Sequence, residues 1–407
     1  MAAVRSSPRL VGIDVARCLA LVGMMATHIL PGDVGGEVTV VQQLAGGRAS
    51  ALFAVLAGLS LVLVAGRPVL RGRDWWAFQA GTAVRALLVG AVGLWLGGLG
   101  TNIAVILACY AVLFVVAAPF VALPTRWLAL AAGVSALAGP PLSLLLRREL
   151  PPTSYAVPSF DSLSEPAALL RELTLTGYYP VATWLPYLLV GMVLGRLDLR
   201  SAATALRVAA AGLVAVVVAW VVADAHLERD GVRRALVETF DVAGWSGNLD
   251  DSLTHGLYGV VPTGSWSWLM VRAPHSGAWL DLVMTTGSAC LVLGLCLLLG
   301  RLAPPLVGRA LGVLFGAGAL TLTLYTLHVV LRQEGWWDGD APTDFVGQVG
   351  LVLVIGAVVR VFEVRGPLEA LVGRAASGTR RAVGRRGGGS GPGSGPGSGP
   401  GSVGGPR

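Results

Sequence analysis

Residues 10–30 read LVGIDVARCLALVGMMATHIL, and this stretch decides the fold. Laid out as a helix at about 1.5 Å per residue, it crosses a hydrocarbon core roughly 30 Å thick. In lipid the backbone must satisfy its own hydrogen bonds, so an apolar run of this length is a helix. Further apolar runs follow near Ala49–Gly66, Trp76–Leu99, Asn102–Leu123, Trp127–Leu146 and Tyr179–Leu197. The last are near Ala203–Ala223, Gly277–Gly300, Leu311–Leu331 and Phe345–Phe362. The expected fold class is therefore all-α, a polytopic membrane protein of about ten transmembrane helices. The pair Pro140–Pro141 is expected to break or kink the fifth helix.

Composition agrees. Charged residues make up 13% of the chain and hydrophobic residues 54%, where soluble domains carry about 25% charge. Mean hydropathy is +0.71. The net charge is +7, and every cationic residue is Arg; the segment Arg365–Arg407 alone holds seven Arg against one Glu. That basicity is topological, with some attraction to anionic lipid heads, and nucleic acid is not an expected partner. The four cysteines, Cys18, Cys109, Cys290 and Cys296, all fall inside apolar runs without C-x-x-C spacing, and read as small buried hydrophobes. There is no G-x-S-x-G, H-E-x-x-H or Walker A pattern; FGAGALT (Phe315–Thr321) is too weak to mark a nucleotide site, and no metal is expected.

Asp14 and Arg17 interrupt the first apolar run, and His28 stands where a signal peptide would carry small residues, so the first helix is expected to stay uncleaved. Arg67, Arg71, Arg73, Arg126, Arg196, Arg200, Arg301 and Arg309 fall in alternate connections, on the side of Arg5 and Arg9. The intervening connections are acidic: Asp33 and Glu37; Asp161, Glu165 and Glu172; Asp224 through Asp251; and Asp338, Asp340 and Asp344. The positive-inside rule then puts both termini in the cytoplasm of a cell carrying the protein in its inner or plasma membrane. The expected organisation is a cytoplasmic segment 1–9, a transmembrane domain 10–372, and a disordered Arg/Gly/Ser/Pro-rich cytoplasmic tail 373–407. Two outer loops, Arg147–Tyr178 and Asp224–Ser276, are long enough to be functional.

Charges inside a span are expensive and therefore candidates for function. At 100° per residue, Arg17 and His28 project within about 20° of one another, and Asp14 lies about 40° from His28. Arg17 sits in the cytoplasmic half and His28 about 16 Å further along, so one helix addresses both ends of a path through the membrane. The alternative is a structural Asp14–Arg17 ion pair plus an interfacial His. Arg48 opens the second helix, either facing His28 or snorkelling to the interface. Tyr325 and His328, three apart, share a helix face, as an interhelical hydrogen bond would also require. Trp266, Trp268, Arg272, His275 and Trp279 cluster before the eighth helix, as sugar-stacking groups or as an aromatic belt. His226 and His255 show no metal spacing.

The pattern D-x-x-R-x10-H in GIDVARCLALVGMMATH (Gly12–His28) resembles the first helix of transmembrane acyltransferases. Two related groups share it: the heparan-alpha-glucosaminide N-acetyltransferase catalytic family with its bacterial branch, and the type 3 integral-membrane O-acyltransferases. Cys18 stands where both usually have Gly. The segments Gly47–Leu61, Thr176–Arg196, Ala273–Ala289, Leu320–Leu331 and Arg365–Val372 resemble the bacterial branch of the first group. In the O-acyltransferases the Arg and His of the pattern are tied to acyl transfer, and they match Arg17 and His28. The animal lysosomal enzyme is similar but has Asn where His28 falls, its catalytic His lying in the following loop; here the loop Pro31–Gly47 contains no His.

The resemblance implies an acyltransferase that takes an acetyl or longer acyl group from cytoplasmic acyl-CoA and delivers it to an extracytoplasmic sugar or glycan. His28 is the expected base or acyl carrier, Arg17 held by Asp14 the expected phosphate ligand, and Arg48 an oxyanion donor. Tyr325, His328, His275, Arg272, Trp266 and Trp268 are the expected acceptor-binding residues. Partners are acyl-CoA, the acceptor and membrane lipids, with a homodimer left open. A secondary transporter or lipid-linked sugar flippase would use the same intramembrane charges as a substrate path.

Overall fold

In the computed structural model the described residues are 10–66, 69–151, 155–242, 248–335, 337 and 339–385. The expected segment 1–9 and the repeats of 386–407 lie outside them. Helices run in the order α1 (Val11–Ile29), α2 (Val40–Ala45), α3 (Arg48–Ala65), α4 (Gly72–Gly97), α5 (Leu107–Ala117) and α6 (Thr125–Arg147). There follow α7 (Pro166–Arg171), α8 (Val181–Leu194), α9 (Ala202–Leu227), α10 (Val232–Val242) and α11 (Leu249–His255). The last are α12 (Trp279–Leu302), α13 (Pro305–Leu314), α14 (Thr321–Leu331), α15 (Ala341–Val361) and α16 (Pro367–Arg385). The only strands among the described residues form a two-stranded hairpin, Asp33–Val34 with Glu37–Val38.

The chain is a multi-pass membrane protein. Among the described residues seven helices are long and apolar enough to cross a membrane, counting Val40–Ala65 as one; the segments Pro166–Thr176 and Val181–Leu194, bent by 58°, pass the same test only when taken together. The remaining expected spans are shorter or broken. The run Leu107–Ala122 is α5 continued by a 3-10 turn, and the ninth expected helix divides into α13, a 3-10 turn Gly316–Ala319, and α14. The division has a steric cause: Gly318 lies directly on the Asp14 carbonyl and Gly316 on the Gly356 carbonyl, where a side chain on either would collide. The sequence FGAGALT is thus a close-packing hinge beside α1. The fifth expected helix needs no break, since α6 runs through Pro140 and Pro141.

Two ends can be told apart by the chain's own chemistry. At the arginine end α1 begins and α3 ends; at the loop end α1 ends and the segments 148–180 and 228–278 gather. The arginine end is tied by backbone carbonyls: Arg196 donates to the carbonyls of Leu123 and, at 3.0 Å, of Val121. The loop end has its own small core around Leu236, Phe240, Leu257 and the fully buried Trp268. Between the ends α1 is enclosed by α3, α12, α14 and α15, and α3 lies against α8 through the facing glycines Gly58 and Gly191. Small residues at such crossings let helix backbones touch in lipid, where no hydrophobic force draws them together.

The boundary expected at residue 373 is corrected. Pro367–Arg385 form one amphipathic helix, α16, lying along α4 with Val372 and Ala376 buried. Arg380 donates to the Val64 and Ala65 carbonyls at 2.7 and 3.2 Å, satisfying the last turn of α3. Glu369 accepts from the Leu322 and Thr323 amides at 2.7 and 3.1 Å, so α16 also caps the start of α14.

Candidate active site

The first helix joins two cavities. At the loop end, a cavity of about 480 Å³ is lined by His28 and Met24 of α1, by Gln42 and Ser50, and by Asn102, Tyr155, Tyr178, Tyr179, His255, Tyr258 and His275. At the arginine end, one of about 280 Å³ is lined by Arg17, Ser60, Arg85, Thr321 and Glu369 among the apolar groups Phe53, Tyr110 and Phe114. Arg17 also borders a third space of about 430 Å³, with Asp14, Asp198 and Arg200.

The loop-end chamber and the 280 Å³ chamber at the arginine end lie close together along α3. Ser50 lines one and Phe53 the other, and Ala104 and Leu107 are divided in the same way. Three residues advance a helix by about 4.5 Å, so the partition on α3 is less than one turn thick. The stacked rings of Phe53 and Tyr110, centroids 5.7 Å apart, both line the arginine-end chamber.

His28 is held from behind. Its Nδ1 lies 3.1 Å from Nε2 of His328, the two rings are parallel within 7°, and Nδ1 of His328 lies 2.9 Å from Oε1 of Gln348. His328 and Gln348 are both wholly buried. With the Gln348 carbonyl accepting the His328 Nδ1 proton, His328 Nε2 is a lone pair that accepts from His28 Nδ1–H. The remaining nitrogen, Nε2 of His28, is then also a lone pair, on the residue that lines the cavity. Three helices, α1, α14 and α15, thus fix one imidazole in the tautomer of a base.

Arg17 donates to Ser60 Oγ at 2.6 Å and lies 3.8 Å from the Asp14 carboxylate. Asp14 and Arg17 thus stand at the arginine end of α1 and His28 at the loop end. His275 reaches the loop-end cavity too. Its ring packs on Tyr178 and Tyr179 at 4.4 and 5.7 Å, at a positive φ of 56°, and its Nδ1 has no partner among the described residues. It lies in the connection before α12, where burial pushes its imidazole from the ordinary 6.5 down to about 4.

Other expected site residues lie elsewhere. Arg48 does not line the cavity: it donates to the Gly46 carbonyl at 3.4 Å and lies in the field of Asp281. Trp268 is wholly buried, its indole donating to Thr239 at 2.8 Å, and Trp266 is exposed beneath Arg148. Arg272 is engaged by Asp224 at 3.1 Å and by the Trp220 ring. Of these three only Trp268 is in the core of the lobe over the loop end, which the 3-10 turn Trp266–Met270 enters through Trp268 and Leu269. Tyr325 is buried on the helix that carries His328 and lines neither chamber.

Sequence reasoning missed Gln348, Arg85 and Asp281. Arg85 and Asp281 each interrupt an apolar run, the signal that singled out Arg17; Gln348 carries no charge and gave none. Among the described residues no group of three or more His, Cys, Asp or Glu could hold a metal ion.

The sequence model of the family described as heparan-alpha-glucosaminide N-acetyltransferase, catalytic, matches residues 9–223, just over half of the 407-residue chain. Asp14, Arg17 and His28 fall inside the match; His275, His328 and Gln348 fall beyond it. No curated protein matches the chain.

Proposed function

The chain belongs to the heparan-alpha-glucosaminide N-acetyltransferase catalytic family, and from that premise we propose a membrane acyltransferase that moves an acetyl group from cytoplasmic acetyl-CoA to a sugar acceptor outside. The observation that carries the proposal is the pair of chambers on α1, Arg17 lining one and His28 the other. In this reading the arginine end faces the cytoplasm of a cell whose inner or plasma membrane holds the protein. The ten spans are the seven helices above, the bent pair taken as one, Leu107–Ala122, and α14 with the turn before it.

Arg17, Arg85 and Arg200 offer fixed cations to the phosphates of the donor, with Asp14 and Ser60 holding Arg17 in place. The acyl-bearing arm passes the Phe53 and Tyr110 rings toward His28. There the acceptor's X–H group attacks the thioester carbonyl. The C–X bond forms as the C–S bond breaks, and the proton goes to Nε2 of His28. His28 then returns that proton to the thiolate, releasing CoA as the thiol and restoring the neutral imidazole. The hydrogen bond to His328 keeps the ring oriented through both transfers.

The test is purified protein with radiolabelled acetyl-CoA and a panel of sugars. Transfer of label is expected in the wild type, and a loss of roughly 10²-fold or more in His28→Ala. That variant should stay folded at a cost of about 1–3 kcal/mol, because its removal leaves Nε2 of the buried His328 without a partner. Sugar flux without any covalent change would replace this reading with the transporter; full transfer by His28→Ala would remove the imidazole from the mechanism.

A further inference from the structure

The lining of the loop-end chamber is specific in its charge. Among the described residues that line it there is no Asp, Glu, Arg or Lys. Its polar groups are phenols, amides, a few hydroxyls and imidazoles. The nearby carboxylates stand outside the lining: Asp33 lies 3.6 Å from Nε2 of His255, and Asp281 accepts from the Gly277 amide at 3.0 Å. Glu172 lies in a separate narrow cleft that also touches Tyr178 and Tyr179.

One wall is aromatic. Tyr178 stands edge-on to Tyr258 at 4.8 Å, Tyr258 edge-on to Tyr155 at 4.8 Å, and the Tyr258 hydroxyl donates to the Tyr155 carbonyl at 2.9 Å. The edge-to-face geometry makes this a built surface, with one ring propping the next. The volume, about 480 Å³, lies within the ~300–1,000 Å³ range of small-molecule sites.

These features select among acceptors. An ammonium or a carboxylate brought into such a chamber loses water and meets no opposite charge, which is expensive. A neutral pyranose incurs no such loss: its C–H face lies on the rings and its hydroxyls meet amides and phenols. We propose that the acceptor is an uncharged sugar that stacks on Tyr178 and Tyr258 and is acylated on a hydroxyl, with Asn102 the neutral wall residue at which an introduced charge would change the preference. The inference rests on the acyltransferase reading above and narrows its X–H group to O–H. The sugar O–H then attacks the thioester, a C–O bond replaces the C–S bond, and the proton passes through His28 Nε2 to the departing thiolate.

The experiment separates binding from chemistry. Full-length protein in lipid nanodiscs is titrated at pH 7, without acetyl-CoA, with methyl glucoside, methyl glucosaminide and methyl glucuronide. The glucoside is expected to bind at least about tenfold more tightly than either charged sugar. Tyr258→Leu, which keeps apolar bulk but removes the ring, should weaken the glucoside about tenfold. Asn102→Asp, an exposed and nearly isosteric change, should raise glucosaminide affinity about tenfold relative to the glucoside. Equal or tighter binding of a charged sugar to the wild type, no binding of the glucoside, or an unchanged ratio in Asn102→Asp would each overturn the inference. Labelled acetyl-CoA is then added. Binding with the expected preference but no transfer would overturn the acyltransferase reading alone; transfer chiefly to the glucosaminide nitrogen would overturn the hydroxyl assignment alone.

Discussion

His275 shows how a single side chain can be set by its surroundings. Its backbone is left-handed, its ring is walled by two tyrosines, and burial pulls its pKa from 6.5 to about 4. The unfolded chain takes up a proton on this residue near pH 6.5 and the folded chain only near pH 4. The stability contributed by a neutral His275 is therefore complete above pH 6.5 and is lost as pH falls toward 4, by about 2 kcal/mol at pH 5. His275→Asn removes the titration and keeps a residue type that tolerates positive φ. Thermal unfolding at pH 7.5 and pH 5 should show a clearly smaller drop for the variant; equal drops would assign the acid sensitivity to other groups. His275 was legible in the sequence as one of a cluster, but which of that cluster reaches a cavity was not. Spacing cannot tell that Trp268 turns into the overlying lobe while His275, seven residues later, turns toward His28's chamber. The placement of Asp14 and Arg17 at one end of α1 and His28 at the other was legible, because they share one helix and helical geometry is local. The partners of His28 were not: His328 is 300 positions away, and Gln348 lacks the charge that makes a membrane residue conspicuous.

Among the elements, α16 departs furthest from the expectation. Its composition is that of a basic tail, and the apolar face it lays on α4 is narrow, with Val372 and Ala376 at its centre. A window of polar, Gly-containing residues hides such a face, since helix stability here comes from packing and capping rather than from propensity. Two truncations separate the readings. A chain ending at Arg385 should retain its thermal stability. One ending at Val372 loses Arg380, leaves the Val64 and Ala65 carbonyls without that donor, and uncovers α4; a loss of about 3 kcal/mol is expected from the charged hydrogen bonds alone. Melting temperature in detergent reads the difference, and identical values for the two chains would mean that α16 contributes nothing to the fold. Long uniform helices such as α9 and α12 were read nearly to their ends from apolar length. The broken α13–α14 segment was read as one, because a hinge made of glycines on a neighbour's backbone leaves no mark on hydropathy.

For the whole molecule the arginine asymmetry makes a prediction about sides. Single cysteines replacing exposed residues in a background without the four native thiols should divide into two groups. Positions Arg71 and Arg374 should be labelled only from the cytoplasm, and Asp161 and Asp230 only from outside. Labelling of position 374 from outside would overturn the ten-span arrangement. The same map tests the proposed reaction, in which Arg17 stands on the donor's side and His28 on the acceptor's.

The enclosed position of α1 also has a consequence for how the chain is made. This helix leaves the ribosome before its partners, and His328, which bonds to His28, is synthesised 300 residues later. At about 5–20 residues per second that interval is roughly 15–60 s. Throughout it the nascent helix carries an acid, a guanidinium and an imidazole in or beside the bilayer. The one relief available at once is internal: Asp14 and Arg17 are three residues apart and can neutralise each other within a single turn. The contact that joins Asp14 and Arg17 in the finished protein serves, during biogenesis, as this helix's own escort.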